Sequence, residues 1–455
     1  MKNGKRSSFS GKLGYVLAAA GASVGLGNIW RFPYLAAKYG GGIFLIIYIV
    51  LALTFGYTMI VAETAIGRMT RKSPVGAFKS FGKKKWLSFG GWINAVIPVL
   101  IVPYYSVIGG WVIKYLVEYF RGNAKLLAED GYFTDFISNG VSTELCFVAF
   151  CAFTLIIIFA GVQNGIERVS KIMMPILIVL SVIIAVYSVT RPGALAGVKY
   201  FLVPNVKNFS WMTVVSAMGQ MFYSLSIAMG ILITFGSYMK KDTAIEDSTR
   251  NVEVFDTGIA IMAGLMIIPA VFAFSGGDPN TLQAGPSLMF ITIPKVFQNM
   301  GFGTVIGIVF FLLVLFAAVT SSIALTESAV STFEDELGWG RKKATVLVGV
   351  IMLVLGSLSS LGYGPLAGIK IIGMQFLDLF DFLTNSVMMP IAALLTSLLV
   401  SRVVGIDKIE AEIIHGESAF RRKKVFVVMI KYLCPVFAII ILLSSVANAL
   451  GWIKM

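Results

Sequence analysis

Inside the first long apolar segment the chain reads GASVGLGNIWRFPY, from Gly21 to Tyr34. Gly21, Gly25 and Gly27 each weaken a helix by up to ~1 kcal/mol relative to Ala. Asn28 and Arg31 are costly at membrane depth unless they face protein or water. The spacing predicts a helix that breaks here. An unwound turn frees carbonyls at the negative end of the preceding half-helix, which suits a hard cation. It also presents N–H groups at the positive start of the following half-helix, which suits a carboxylate. Five segments later, Gly219–Gly230 (GQMFYSLSIAMG) again puts small and polar residues at mid-membrane depth. Interruptions at corresponding places in two halves predict a paired midplane site between inverted repeats.

Two other readings compete for the first stretch. Gly21-x-x-x-Gly25 fits the small-x-x-x-small pattern of close helix packing. Gly21-x-Ser23-x-Gly25 matches the pattern of a hydrolase nucleophile elbow, which needs a strand–turn–helix setting and a His partner. The single His415 lies far away in a polar loop, and the context is a membrane helix. Enzymatic chemistry is therefore not expected. Cys146, Cys151 and Cys434 lie in apolar spans, with neither a disulfide framework nor metal-ligand spacing.

The elements that must hold these residues follow from composition. Of 455 residues, 57% are hydrophobic and 13% charged, and the mean hydropathy is +0.85. A soluble domain is ~25% charged, so the chain reads as a polytopic membrane protein. The formal charge of +14 is not spread as a nucleic-acid binder would spread it. Lys and Arg crowd alternate loops: the N-terminus, residues 68–85, Arg168/Lys171, Lys240–Arg250, Arg341–Lys343, and Arg402–Lys424. Roughly 25 fall on that side and about 8 on the other, the positive-inside pattern of a cytoplasmic N-terminus. Ala18-Ala19-Ala20 imitates a signal-peptidase site, but the apolar run before it is only ~8 residues and is broken by Gly14. It is expected to stay uncleaved.

Spans of ~20 apolar residues are read at 13–38, 41–70, 87–121, 141–160, 166–190, 211–240, 247–274, 302–336, 341–362, 370–402 and 425–453. Eleven spans put the C-terminus outside. The expected fold is an all-α polytopic membrane protein. It has a cytoplasmic segment 1–12, two inverted five-helix repeats (13–190 and 211–402) with broken first and sixth helices, and one extra helix (425–453). Gly276–Gly301, too polar to span, is expected to form an external hairpin lid, helical in part.

These residues resemble the neurotransmitter:sodium symporter family, in its bacterial amino-acid transporter branch with eleven helices. The resemblance runs from Arg6 to the tenth helix. It is carried by GASVGLGNIWRFPY with Gly40-Gly41-Gly42, Gly219-Gln220…Tyr223-Ser224-Leu225-Ser226, Thr320-Ser321-Ser322 and Phe333-Glu334-Asp335-Glu336-Leu337. The link between broken helices and midplane sites was drawn partly from this family, so it is not independent support.

The resemblance implies two sodium sites. The first would use the Ser23 carbonyl, Asn28, Ser224 and Asp256, the second the Gly21, Val24 and Ala317 carbonyls with the Thr320 and Ser321 hydroxyls. The substrate pocket it implies comprises Ala22, Gly25, Gly27, Ile101, Tyr105, Tyr223, Ser224, Ser226, Met229, Ser321 and Leu325. Arg31 with Asp381 would gate the outer side, and Arg6 with Asp335 the inner side, sealed by Phe9. Glu63 is expected to hold the unwound turn of the first helix. Many relatives carry Asn where this chain has Asp256. Tyr48, Gln220 and Ser224 match the chloride site of chloride-dependent relatives, but Ala260 lacks the last hydroxyl. Asp256 is thus expected to replace chloride, unless it serves a structural ion pair.

Gly25 stands where monoamine carriers have Asp, so the substrate should bring its own carboxylate. The expected function is sodium-coupled uptake of a neutral, hydrophobic or aromatic L-amino acid across the cell membrane by alternating access. Two Na⁺ would be coupling ions, with no other cofactor and no nucleic-acid partner. The alternative is an amino-acid-binding channel or sensor. A pore would want rings of repeated carbonyls or charges, and none is visible.

Overall fold

The computed structural model describes residues 7–276, 285–449 and 452. Among the described residues the expected spans appear as thirteen helical pieces, because the first and sixth are each broken in two. The first span is α1 (Lys12–Ser23) and α2 (Gly27–Lys38), bent by 53°. Four continuous helices follow: α3 (Gly42–Thr70), α4 (Lys85–Phe120), α5 (Gly140–Phe159) and α6 (Val162–Val189). The sixth span is α7 (Trp211–Ser224) and α8 (Ile231–Tyr238), each too short to cross alone. Then come α9 (Ile245–Ser275), α10 (Gly303–Leu337), α11 (Arg341–Leu361), α12 (Phe376–Val404) and α13 (Lys423–Asn448). Among the described residues, nine of these helices are continuous, long and apolar enough to cross a membrane. With 36 residues, α4 rises ~54 Å and must tilt or project beyond a ~30 Å hydrocarbon core.

Every span read from the apolar runs is present within a few residues, because Gly, Pro and charged clusters end each run. Ser210 caps α7: its hydroxyl accepts from Thr213 N at 3.2 Å while Thr213 Oγ1 accepts from Ser210 N at 3.1 Å. Gly276, at φ 70°, ends α9 in the left-handed turn that glycine tolerates. In the lid segment Leu288–Gln298 is helical, while 277–284 lie outside the described residues.

Backbone-to-backbone packing fixes the broken sixth span. A Cβ on Gly67 of α3 would lie 2.0 Å from Ile233 O, and one on Gly236 of α8 would lie 2.5 Å from Thr64 O. The two helices meet through small residues, as membrane helices do when dispersion replaces the hydrophobic drive. α10 packs along α4 and also against α1 and α6. Where α1, α2, α7, α8, α9 and α10 converge, the interior turns polar: Asn28, Ser224, Asp256, Thr320 and Ser321 are all buried there.

Candidate substrate and cation sites

The first span leaves its helix at Val24, whose ψ is 92°, after Val24 N has donated to Ala20 O at 2.7 Å. The chain re-enters as a π-helical turn, Gly27–Arg31. In the sixth span the break holds Ser226 and Ala228 at φ 52° and 58°, with Gly230 at 69°. A left-handed non-glycine residue costs on the order of 1–3 kcal/mol and persists only where neighbours enforce it. Here Ser226 Oγ donates to Ala22 O at 2.9 Å, and Ala228 N donates to Glu63 Oε1 at 2.8 Å. The two breaks therefore brace each other. Glu63 grips the break of the sixth helix, not the first as expected, because α3 lies backbone-close to α8 and delivers the carboxylate to Ala228.

Between the breaks lies a small cavity. Ala22, Gly25, Gly27, Ile101, Tyr105, Tyr223, Ser226, Met229, Ser321 and Leu325, all expected there, line it together with Ser23, Leu26 and Asn28. Ser224 does not. Its hydroxyl turns away into the carboxylate cluster described below. A Cβ on Gly25 would meet Ser321 Oγ at 2.7 Å and Tyr105 Oη at 3.1 Å, so only glycine leaves this corner open. Leu26 N donates to Tyr105 Oη at 3.3 Å. Leu26 was not singled out from the sequence, although an N–H two residues past the break was a findable signal. Tyr223 covers one end of the cavity: a Cβ on Gly27 would sit 2.2 Å from its ring.

One polar cluster centres on Asp256, which is fully buried. Its carboxylate accepts from Asn28 Nδ2 at 2.8 Å, Tyr48 Oη at 2.9 Å, and Ser224 Oγ at 2.9 and 3.0 Å. Among the described residues no Lys or Arg lies within ion-pairing distance of it, so the structural ion pair is not what buries this charge. Tyr48 Oη also lies 2.9 Å from Ser224 Oγ. Gln220 Nε2 donates to Gly27 O at 3.0 Å and its Oε1 is unpartnered. Asn28 Oδ1 accepts from Gly25 N at 3.2 Å, and Ser23 Oγ donates to Ala19 O at 3.1 Å. Ala260 is buried one turn from Asp256.

A second cluster is built from oxygens alone. Ser321 Oγ lies 3.2 Å from Gly21 O and 3.4 Å from Val24 O. Thr320 Oγ1 lies 3.2 Å from Ala317 O, and a Cβ on Gly21 would be 3.1 Å from Thr320 Cβ. Of the groups expected here, Ser321 Oγ faces the Gly21 and Val24 carbonyls across the first break, while the Thr320 hydroxyl turns to Phe316 O and Ala317 O of its own helix.

Beyond Tyr223 opens a vestibule with about 1570 Å³ of empty space, lined in part by Arg31, Tyr104 and Asp381. Arg31 and Asp381 share it but form no ion pair. The Arg31 guanidinium stands 5.5 Å from the Tyr223 ring centre, and Asp381 accepts from Asn385 Nδ2 at 2.6 Å and Tyr104 Oη at 3.2 Å. At the other end Phe9 is buried, edge-on to Tyr15, Phe235 and Tyr238. Asp335 accepts from Ser73 N at 2.6 Å. Arg6, its expected partner, lies outside the described residues.

Paired broken helices around a buried polar cavity, set among nine continuous membrane-crossing helices in the described residues, define a secondary-transporter architecture. The family model described as the sodium:neurotransmitter symporter family matches residues 6–127 and 133–452, and the chain belongs to that family. It is 34% identical to the uncharacterized sodium-dependent transporter YhdH of Bacillus subtilis, over 98% of this chain and 99% of that one. It is 26% identical to the sodium- and chloride-dependent GABA transporter 2 of Homo sapiens, over 88% of this chain and 73% of that one. The crystal structure of MhsT in complex with L-phenylalanine superposes with a TM-score of 0.86 at 35% identity, covering 97% of this chain and all of that one. The chain is thus a multi-pass, sodium-dependent membrane transporter and not an enzyme.

Proposed function

We propose that the protein couples Na⁺ entry to uptake of a neutral, hydrophobic or aromatic L-amino acid across the cell membrane. The N-terminus is cytoplasmic, and the Arg31/Asp381 vestibule faces outward. The open corner at Gly25 carries this reading. The substrate carboxylate sits there, within reach of the Leu26 N–H and the Tyr105 hydroxyl, and its amine faces the carbonyls freed around Ala22. Ile101, Met229 and Leu325 form the apolar end of the cavity, where thioether and aliphatic groups mould around a large side chain. MhsT, structurally similar over nearly its whole length, was crystallised with L-phenylalanine.

Two Na⁺ ions bind, one at Ser23, Asn28, Ser224 and Asp256 beside the substrate, the other at Gly21, Val24, Ala317, Thr320 and Ser321. Hard oxygens suit a hard cation. The Asp256 carboxylate occupies the ground between Tyr48 and Ser224 that an anion would fill, so transport does not need chloride. Each Na⁺ crossing ~100 mV releases ~2.3 kcal/mol, and a tenfold gradient adds ~1.4. Two ions supply roughly 7 kcal/mol to concentrate a zwitterion.

Competition against labelled L-phenylalanine binding tests the substrate class. Leucine, tyrosine and tryptophan should compete well and alanine weakly. Tightest competition by lysine or a dicarboxylate would overturn it.

A further inference from the structure

The seam between α12 and α13 holds two cations that the transport chemistry does not use. Arg402 lies in a π-helical turn, Leu399–Val404, and Lys431 in another, Met429–Leu433. The two turns touch. Each π-turn inserts an extra residue into its helix, a distortion that recurs at functional positions. Between them Ser401, Arg402, Lys431 and Tyr432 line a surface pocket.

The charges there are uncompensated. Some cations of the Lys/Arg-rich face have acids close by: Arg68 and Lys241 at Glu412, Lys171 at Glu167, and Arg341 at Glu327, at 2.6–2.7 Å. Lys83–Lys85 and Lys342, unpaired among the described residues, lie in polar loops or at a helix start and not inside an apolar helix. Lys423, at the start of α13, pairs with Glu410. Among the described residues neither Arg402 nor Lys431 makes an ion pair or hydrogen bond. Lys431 lies ~12 Å along the helix from Lys423, at 1.5 Å per residue. That depth is costly for a lone ammonium unless it snorkels or meets an anion. Arg402, Lys431 and Tyr432 are exposed on the outer surface of the helices, not toward the protein core. Further along the same helix Val436, Ile439, Ile440 and Leu443 are exposed as well.

We propose that this seam binds the headgroup phosphate of an anionic phospholipid. The Arg402 guanidinium and the Lys431 ammonium are its two charged partners, and the Tyr432 hydroxyl is a third donor. The acyl chains lie along the exposed aliphatic side chains of α13. A soluble anion would not need that apolar track, and basic pockets between helices on the positively charged face are where lipid phosphates are held.

The test uses the full-length protein in nanodiscs of equal phosphatidylglycerol and phosphatidylcholine, with retained lipid counted by native mass spectrometry. At about fivefold per cation, phosphatidylglycerol should be enriched on the order of 25-fold over phosphatidylcholine. Arg402→Gln with Lys431→Gln should abolish the enrichment while Na⁺-dependent thermal stability stays at the wild-type value. Lys431→Arg, which keeps the charge, should retain it. If the double variant does not fold, a salt series on the wild type still decides, because enrichment must fall as ionic strength rises. Equal retention of the two lipids, undiminished enrichment in the double variant, or displacement of phosphatidylglycerol by inorganic phosphate would each overturn the proposal.

Discussion

Asp256→Asn separates a sodium ligand from a residue that only holds helices together. The substitution keeps the shape and one acceptor oxygen but removes the formal charge at the centre of the Asn28, Tyr48 and Ser224 cluster. A charge about 4 Å from a bound Na⁺ contributes ~4 kcal/mol at an effective dielectric of about 20. Its loss should therefore weaken Na⁺ binding by on the order of a thousandfold at 1.4 kcal/mol per decade. No Lys or Arg among the described residues is stranded by the change, so the variant should fold, and it should lose most of its stabilisation by Na⁺. Chloride drawn to the Tyr48 and Ser224 hydroxyls should restore part of the affinity. The assay is labelled amino-acid uptake into proteoliposomes, in chloride and in gluconate, over a Na⁺ series. Wild type should be indifferent to the anion, and the variant should need both more Na⁺ and chloride. Unchanged Na⁺ dependence of the variant in gluconate would show that Asp256 is not a sodium ligand.

Other consequences follow from single contacts. Gly25→Ala drives a methyl to 2.7 Å from Ser321 Oγ, so substrate affinity measured by equilibrium binding should fall at least ~100-fold, as for a blocked pocket. Thr320→Val removes a hydroxyl from the all-oxygen cluster. The Na⁺ concentration for half-maximal binding should rise on the order of tenfold, since a lost polar contact is worth about 1–2 kcal/mol. Glu63→Ala leaves Ala228 N unpaired in a dry core and should cost about 1–3 kcal/mol of stability. Glu63→Gln, which keeps an acceptor, should recover most of it in thermal melts.

What the sequence makes legible depends on the range of the interaction. The eleven spans and both breaks are local properties: apolar runs, and glycines with Asn28 and Arg31 where a helix should be strongest. The central cavity was legible too, because the two breaks had to face each other and the resemblance supplied its lining. What escaped were pairings between distant segments. Glu63 was recognisable as a buried acid, but its grip on Ala228 depends on the close approach of Gly67 and Gly236. Arg31 and Asp381 do share the vestibule, yet the guanidinium rests over Tyr223, a choice made by rotamers. Ser224 lies at the break beside the substrate pocket, but its hydroxyl bonds the Asp256 carboxylate instead of lining that pocket. The paired π-turns at Arg402 and Lys431 leave no sequence mark beyond cations set inside apolar helices.

Coupling is tested by uptake of labelled L-phenylalanine into proteoliposomes with the Na⁺ gradient imposed, abolished and reversed. A coupled carrier accumulates the amino acid above the external concentration only with an inward gradient, loses that accumulation on adding a Na⁺ ionophore, and releases it on reversal. Uptake that equilibrates at the same rate and level under all three conditions would contradict coupling.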